Sequence, residues 1–170
     1  MLKLLGAVLL TAGAAAMGFS ASAQLGRRVK SLRALLGALE LAERELSFRL
    51  TPIPELLDEL SRRSQSPACG FFGRCLDGLD RLGERSLGQL WEEALAGWPM
   101  DLAEEDREAL AELGQVLGRY DGEGQREAIA LTRARLEGNL TAAEADRDGR
   151  GRLYQALGMA AGSFFVILLL

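Results

Sequence analysis

The last eighteen residues, Leu153 to Leu170, read LYQALGMAAGSFFVILLL and contain no charged side chain. Gln155 is the only strongly polar residue among them. As a helix rising about 1.5 Å per residue, the run spans roughly 27 Å, just enough for a hydrocarbon core of about 30 Å. A run of this length at the end of a chain is hard to bury in a small soluble core. It is expected to form a transmembrane helix, and the rest of the chain is read from that expectation.

Charge is segregated along the sequence. No charged residue lies between Leu4 and Gly26, whereas all 24 acids and 19 of the 20 bases fall between Arg27 and Arg152. The middle therefore reads as a water-loving domain of net negative charge between two apolar ends. A net acidic domain without a basic, aromatic patch is a poor nucleic-acid binder.

Met1 to Ala23 reads MLKLLGAVLLTAGAAAMGFSASA. One reading is a cleaved signal peptide, with Lys3 as its basic start, Leu4 to Leu10 as its apolar core and Ala21-Ser22-Ala23 as the cleavage site. That would leave a secreted helical domain with a C-terminal membrane anchor. The other reading is an uncleaved span. The uncharged stretch is long enough to cross, and Arg27, Arg28, Lys30 and Arg33 follow with no acid before Glu40. Positive charge just after an apolar segment tends to stay in the cytoplasm. Arg147, Arg150 and Arg152 place a second basic flank on the domain side of the C-terminal run. The expected layout is a transmembrane helix over 1–24, a cytosolic helical domain over 25–152 and a second transmembrane helix over 153–170.

The middle is rich in Leu, Ala, Glu and Arg, all strong helix formers, and nothing alternates with period two. An all-α bundle of about six helices is expected. The stripe Val29, Leu32, Leu36, Leu39, Glu43 and Leu46 predicts an amphipathic first helix that continues from the membrane and is broken at Thr51-Pro52. A short helix from Glu55 to Arg63 should turn Leu56, Leu57 and Leu60 inward. Ser66-Pro67 predicts a capped start for a helix carrying Phe71, Phe72, Cys75, Leu76 and Leu79 to about Leu82. Ser86 should cap the next, with Leu87, Leu90, Trp91, Leu95 and Trp98 on one side and Pro99 at its end. Asp101 to Glu104 has capping-box spacing and opens a helix through Leu110, Leu113 and Leu117. After a turn at Gly118 to Gly122, with Asp121 as a helix cap, the last helix runs from about Glu123 through Ile129, Leu136 and Leu140.

Little in this set resembles a reaction centre. The absence of histidine removes the commonest general base and metal ligand. Cys69 and Cys75 stand six apart, on different faces of a helix, and read as structural thiols. The acids Glu104, Glu105, Asp106, Glu108 and Glu112 surround a helix N-terminus, where the dipole favours anions, and read as a solvated helix start. The Gly-rich stretch Gly118 to Gly124 has no Walker lysine and no preceding strand. Neither an enzyme nor a cofactor is expected. Gly158 and Gly162 form a GxxxG motif that lets membrane helices approach closely, so the two spans are expected to pack together within one molecule or between copies.

Taken together, these segments resemble the stage III sporulation protein AB family of endospore-forming bacteria. The resemblance rests on the opening MLKLLGA, the helix over Arg27 to Leu50 with its Thr51-Pro52 break, and the closing LGMAAGSFFVILLL. Its most distinctive part is an LGxxLGxxD pattern, carried by Leu113, Gly114, Leu117, Gly118 and Asp121, with Gln125 four residues on. Tyr120 departs from the pattern, which has a small polar residue there. The resemblance implies a cytosolic domain similar to the helical domain of type II secretion platform proteins. It also implies a scaffold in the channel complex joining mother cell and forespore, seated in the mother-cell membrane around the forespore. Its implied partners are a secretion-type ATPase and the other membrane proteins of that complex. The stretch from Leu113 to Gln125 is then the candidate contact region, although its glycines would equally serve close helix packing and Asp121 and Gln125 would equally serve as caps.

Overall fold

A computed structural model describes the backbone of residues 2–48, 51–117 and 122–169, and the side-chain environment of residues 23–48, 51–117 and 123–149. The described residues are all α: α1 (Leu2–Phe48), α2 (Ile53–Arg63), α3 (Ala68–Gly78), a 3-10 turn (Leu79–Arg81), α4 (Leu87–Gly97), α5 (Glu104–Leu117) and α6 (Gly122–Leu169). They contain no strand, only an isolated bridge between Leu82 and Arg85. The chain divides into two compact units, Met1–Arg27 with Ala142–Leu170, and Arg28–Thr141.

In the first unit the backbone is helical, as parts of α1 and α6. Among the described residues no helix is long and apolar enough to cross a membrane. Both expected spans, 1–24 and 153–170, fall almost wholly on side chains outside the described residues.

The second unit is a bundle whose core draws on every helix. Leu32, Leu35 and Leu39 of α1 are fully buried, as are Leu56 and Leu57 of α2, Phe71 and Phe72 of α3 and Leu90 and Trp91 of α4. Leu110 and Leu113 of α5 and Ile129 and Leu136 of α6 complete it. The buried stripe of α1 includes Leu35, Ala38 and Ala42, while Leu36 sits at its half-buried edge. Consecutive helices from α2 to α5 pack in sequence order, as short connections dictate.

Local chemistry explains most boundaries. Pro52 precedes α2, its carbonyl accepts from the Leu56 amide at 2.9 Å, and Leu56, Leu57 and Leu60 turn inward as expected. Ser86 and Gln89 form a reciprocal capping box at the start of α4, and Pro99 follows its end.

Three expectations are corrected. Ser66 is not the cap of α3. Pro67, reached through a cis peptide, holds that place without a side-chain cap, and the Gln65 carbonyl takes the Cys69 amide instead. The α-helix of α3 ends at Gly78, short of Leu82, because the chain tightens into the 3-10 turn and then reverses at Gly83, whose φ of 113° suits glycine. Helix α5 starts at Glu104, later than Asp101 implies, because the Asp106 carboxylate reaches back to the Ala103 amide at 2.9 Å. The Gly118 to Asp121 part of the expected turn lies outside the described residues.

Candidate functional site

Helix α5 carries most of the candidate contact region, and its buried face is built from two different kinds of interaction. The apolar one lies toward its C-terminal half. Leu110, Leu113, Gly114 and Leu117 recur at helical spacing and are all buried. A Cβ on Gly114 would stand 2.3 Å from Trp91 Cδ1, so the bare backbone there is what admits the indole. Trp91 is 1% exposed and donates from Nε1 to the Leu110 carbonyl at 2.8 Å. Its ring meets Phe71 edge-on with centroids 4.9 Å apart, and Phe72 at 5.9 Å. Such edge contacts add about 0.5–1.5 kcal/mol each beyond buried area. Trp98 is half-buried, fills the space over Gly70 and donates from Nε1 to the Pro67 carbonyl.

The polar interaction lies at the N-terminal end. Asp106 is fully buried, which corrects its reading as one of five solvated acids. The other four, Glu104, Glu105, Glu108 and Glu112, are exposed as expected. Arg28 donates to Asp106 from Nε at 2.8 Å and from Nη2 at 3.1 Å. Asn139 Nδ2 donates to Oδ1 at 2.7 Å, and the Ala103 amide to Oδ2 at 2.9 Å. Arg28 also reaches Glu105 Oε1 at 2.8 Å. The hydrogen bond to Asp106, chiefly, raises the Arg28 pKa above its ordinary value, so the guanidinium stays charged. Both carboxylate oxygens are thus doubly occupied, the condition under which a buried charge is tolerated.

The sequence-derived contact residues are placed as follows. Leu113, Gly114 and Leu117 are core residues, so whatever surface this stretch offers is shaped by them from beneath. Gln125 is half-buried and its Nε2 donates to the Leu117 carbonyl at 2.9 Å, joining the first turns of α6 to the end of α5. Gly118 and Asp121 lie outside the described residues, as do the surroundings of Gly158 and Gly162. The pairing of Arg28, Asp106 and Asn139 has no signature in the sequence, where Arg28 reads as a membrane flank and Asp106 as a solvated acid, yet each continues an apolar stripe. Asp106 leads into Leu110 and Leu113, Arg28 into Leu32 and Leu35, and Asn139 follows Leu136.

Reactive chemistry is sparse among the described residues. Burial pushes the Cys75 thiol up to about 12, which leaves it protonated and inert at neutral pH. Cys69 is half-buried, and both cysteines are free. No group of His, Cys, Asp or Glu among the described residues could hold a metal ion. An open cleft is lined by Glu45, Thr51, Pro52, Pro54, Glu55, Asp58 and Glu59. Asp58 and Glu59 there pair with Arg62 and Arg63 one helical turn on.

Comparison with known proteins agrees with this architecture. The family of stage III sporulation protein AB matches residues 3–170. A stage III sporulation protein AB of Bacillus subtilis (strain 168) is 29% identical over 172 residues, covering 100% of both chains. A solved structure of a stage III sporulation protein AB superposes with a TM-score of 0.65 at 26% identity, covering 72% of this chain and 98% of that one. The chain therefore belongs to the stage III sporulation protein AB family.

Proposed function

We propose that the protein is a membrane-anchored scaffold of the sporulation complex linking mother cell and forespore. Its helical domain lies in the cytoplasm and docks a secretion-type ATPase, and it has no catalytic activity of its own. The observation that carries this reading is the extent of the family match, which runs from residue 3 to residue 170 and takes in both apolar ends. The lengths of those ends fit two membrane crossings, and the basic flanks at Arg27–Arg33 and Arg147–Arg152 favour a cytoplasmic domain between them. Helix α1 runs unbroken through Ala21–Ala23, which favours an anchor over a cleaved signal peptide. A bundle held by packing and by the buried Asp106 ion pair, mounted at two points, suits the relay of contact between a soluble partner and other membrane proteins. The stretch from Leu113 to Gln125 is the proposed docking region, with Asp121 as the position to mutate.

The test is detergent co-purification from sporulating cells with identification of the bound proteins. The scaffold reading expects an ATPase and further small membrane proteins, and it expects Asp121→Lys to release the ATPase while the domain stays folded. A mature chain that begins at Gln24, with no ATPase bound, would establish the secreted alternative.

A further inference from the structure

Asp106 is the one charged side chain buried in the core among the described residues. Its partners come from the first and last helices of the chain. Arg28 is the first residue of the second compact unit, and Asn139 lies two residues before its last, Thr141. The carboxylate thus sits at the level where both long helices leave that unit. Oδ1 is shared between Arg28 Nη2 and Asn139 Nδ2, and Oδ2 between Arg28 Nε and the Ala103 amide. If either long helix slides or turns at this level, it pulls on an oxygen that the other also uses. At zero exposure, no solvent stands ready to replace the lost bond. Stability alone is a weak reason for such a group, since well-packed apolar residues often do as well as a buried ion pair.

We propose that Asp106 is a coupling residue, which ties α1 to α6 through α5 so that a displacement of one long helix at this level is transmitted to the other. Neither Arg28 nor Asn139 bonds the other directly in this cluster. The coupling passes through the shared carboxylate.

Hydrogen–deuterium exchange on the full chain in detergent tests this with Arg28→Lys, Asn139→Ala and the pair combined. Lysine keeps the charge but cannot reproduce the two-point guanidinium contact. Asn139→Ala is expected to speed exchange about tenfold in α6 over 134–141 and, across the cluster, in α1 over 29–35. Arg28→Lys is expected to do the reverse, and the double variant to be no faster than the faster single variant. Asp106→Asn, which keeps the shape and removes the charge, should open both segments together. Effects confined to the mutated helix, rates that multiply in the double variant, or an equal speeding of α2 to α4 would each overturn the coupling. The Arg28 and Asn139 cycle decides the matter even if Asp106→Asn fails to fold.

Discussion

The two ends of α5 are held by opposite means. Around Gly114 the helix is held by shape: an indole lies where a side chain would stand, and two phenyl rings close around it. Around Asp106 it is held by charge, with every lone-pair direction assigned to a donor. A packed seam loses stability gradually as volume is added or removed. A buried ion pair loses little when all its members are replaced together and a great deal when one is removed. The same helix therefore has a tolerant end and a brittle one.

The sharpest way to break this contrast is at the brittle end. Asp106→Ala is expected to cost about 3–5 kcal/mol, because it leaves the Arg28 guanidinium, whose side chain is only 19% exposed, with Glu105 alone and takes the acceptor from Asn139 and the Ala103 amide. Replacing Arg28, Asp106 and Asn139 together by Met, Leu and Leu should recover most of that loss. Denaturant midpoints of the full-length variants measure both, and a triple variant as unstable as the single one would contradict the account. At the tolerant end, Gly114→Ala is expected to cost about 1–3 kcal/mol through its clash with the indole. The cost should shrink in a Trp91→Leu background, and an unchanged cost would show that Gly114 matters for another reason.

Titration probes a third place, the buried face of α3. The Cys75 thiol moves from its ordinary 9.0 to about 12 because its charged form is not solvated on the buried face of α3. The unfolded chain releases this proton near 9 while the folded chain keeps it. The stability it contributes is therefore complete below pH 9 and is lost as pH rises toward 12, at about 1.4 kcal/mol per unit. Cys75→Val should remove that part of the alkaline slope, whereas Asp106→Asn should leave it in place. The smallest expected effect is at neither end. Ser86→Ala removes half of the α4 capping box and should cost about 1 kcal/mol by thermal unfolding.

What could be read from the sequence divides along the same line. Ser86, Pro99 and Thr51-Pro52 act within a few residues of their own positions, so the helix boundaries they govern are visible locally. The apolar seam follows from the spacing of Leu110, Leu113 and Leu117, and from glycine in place of a side chain at 114. The Asp106 cluster has no local signature of that kind. Its carboxylate sits among four exposed acids, and its partners lie 78 residues before it and 33 after. Arg28 reads equally well as part of a basic membrane flank, and only burial reveals that its charge is spent inside the domain. The visible hint was a polar residue continuing an apolar stripe on each of three helices.

The hydrogen bonds around Asp106 cannot close until the last of their partners, Asn139, has been synthesised. Arg28 emerges from the ribosome long before Asn139, and at about 5–20 residues per second the gap is roughly 5–20 seconds. During that interval α1, and late in it α5, carries its apolar stripe without the helix that completes the core. A nascent chain of this kind is exposed to chaperones and to aggregation until its last domain helix appears. Chains truncated before residue 122 should therefore be cleared by quality control rather than accumulate as a smaller folded domain.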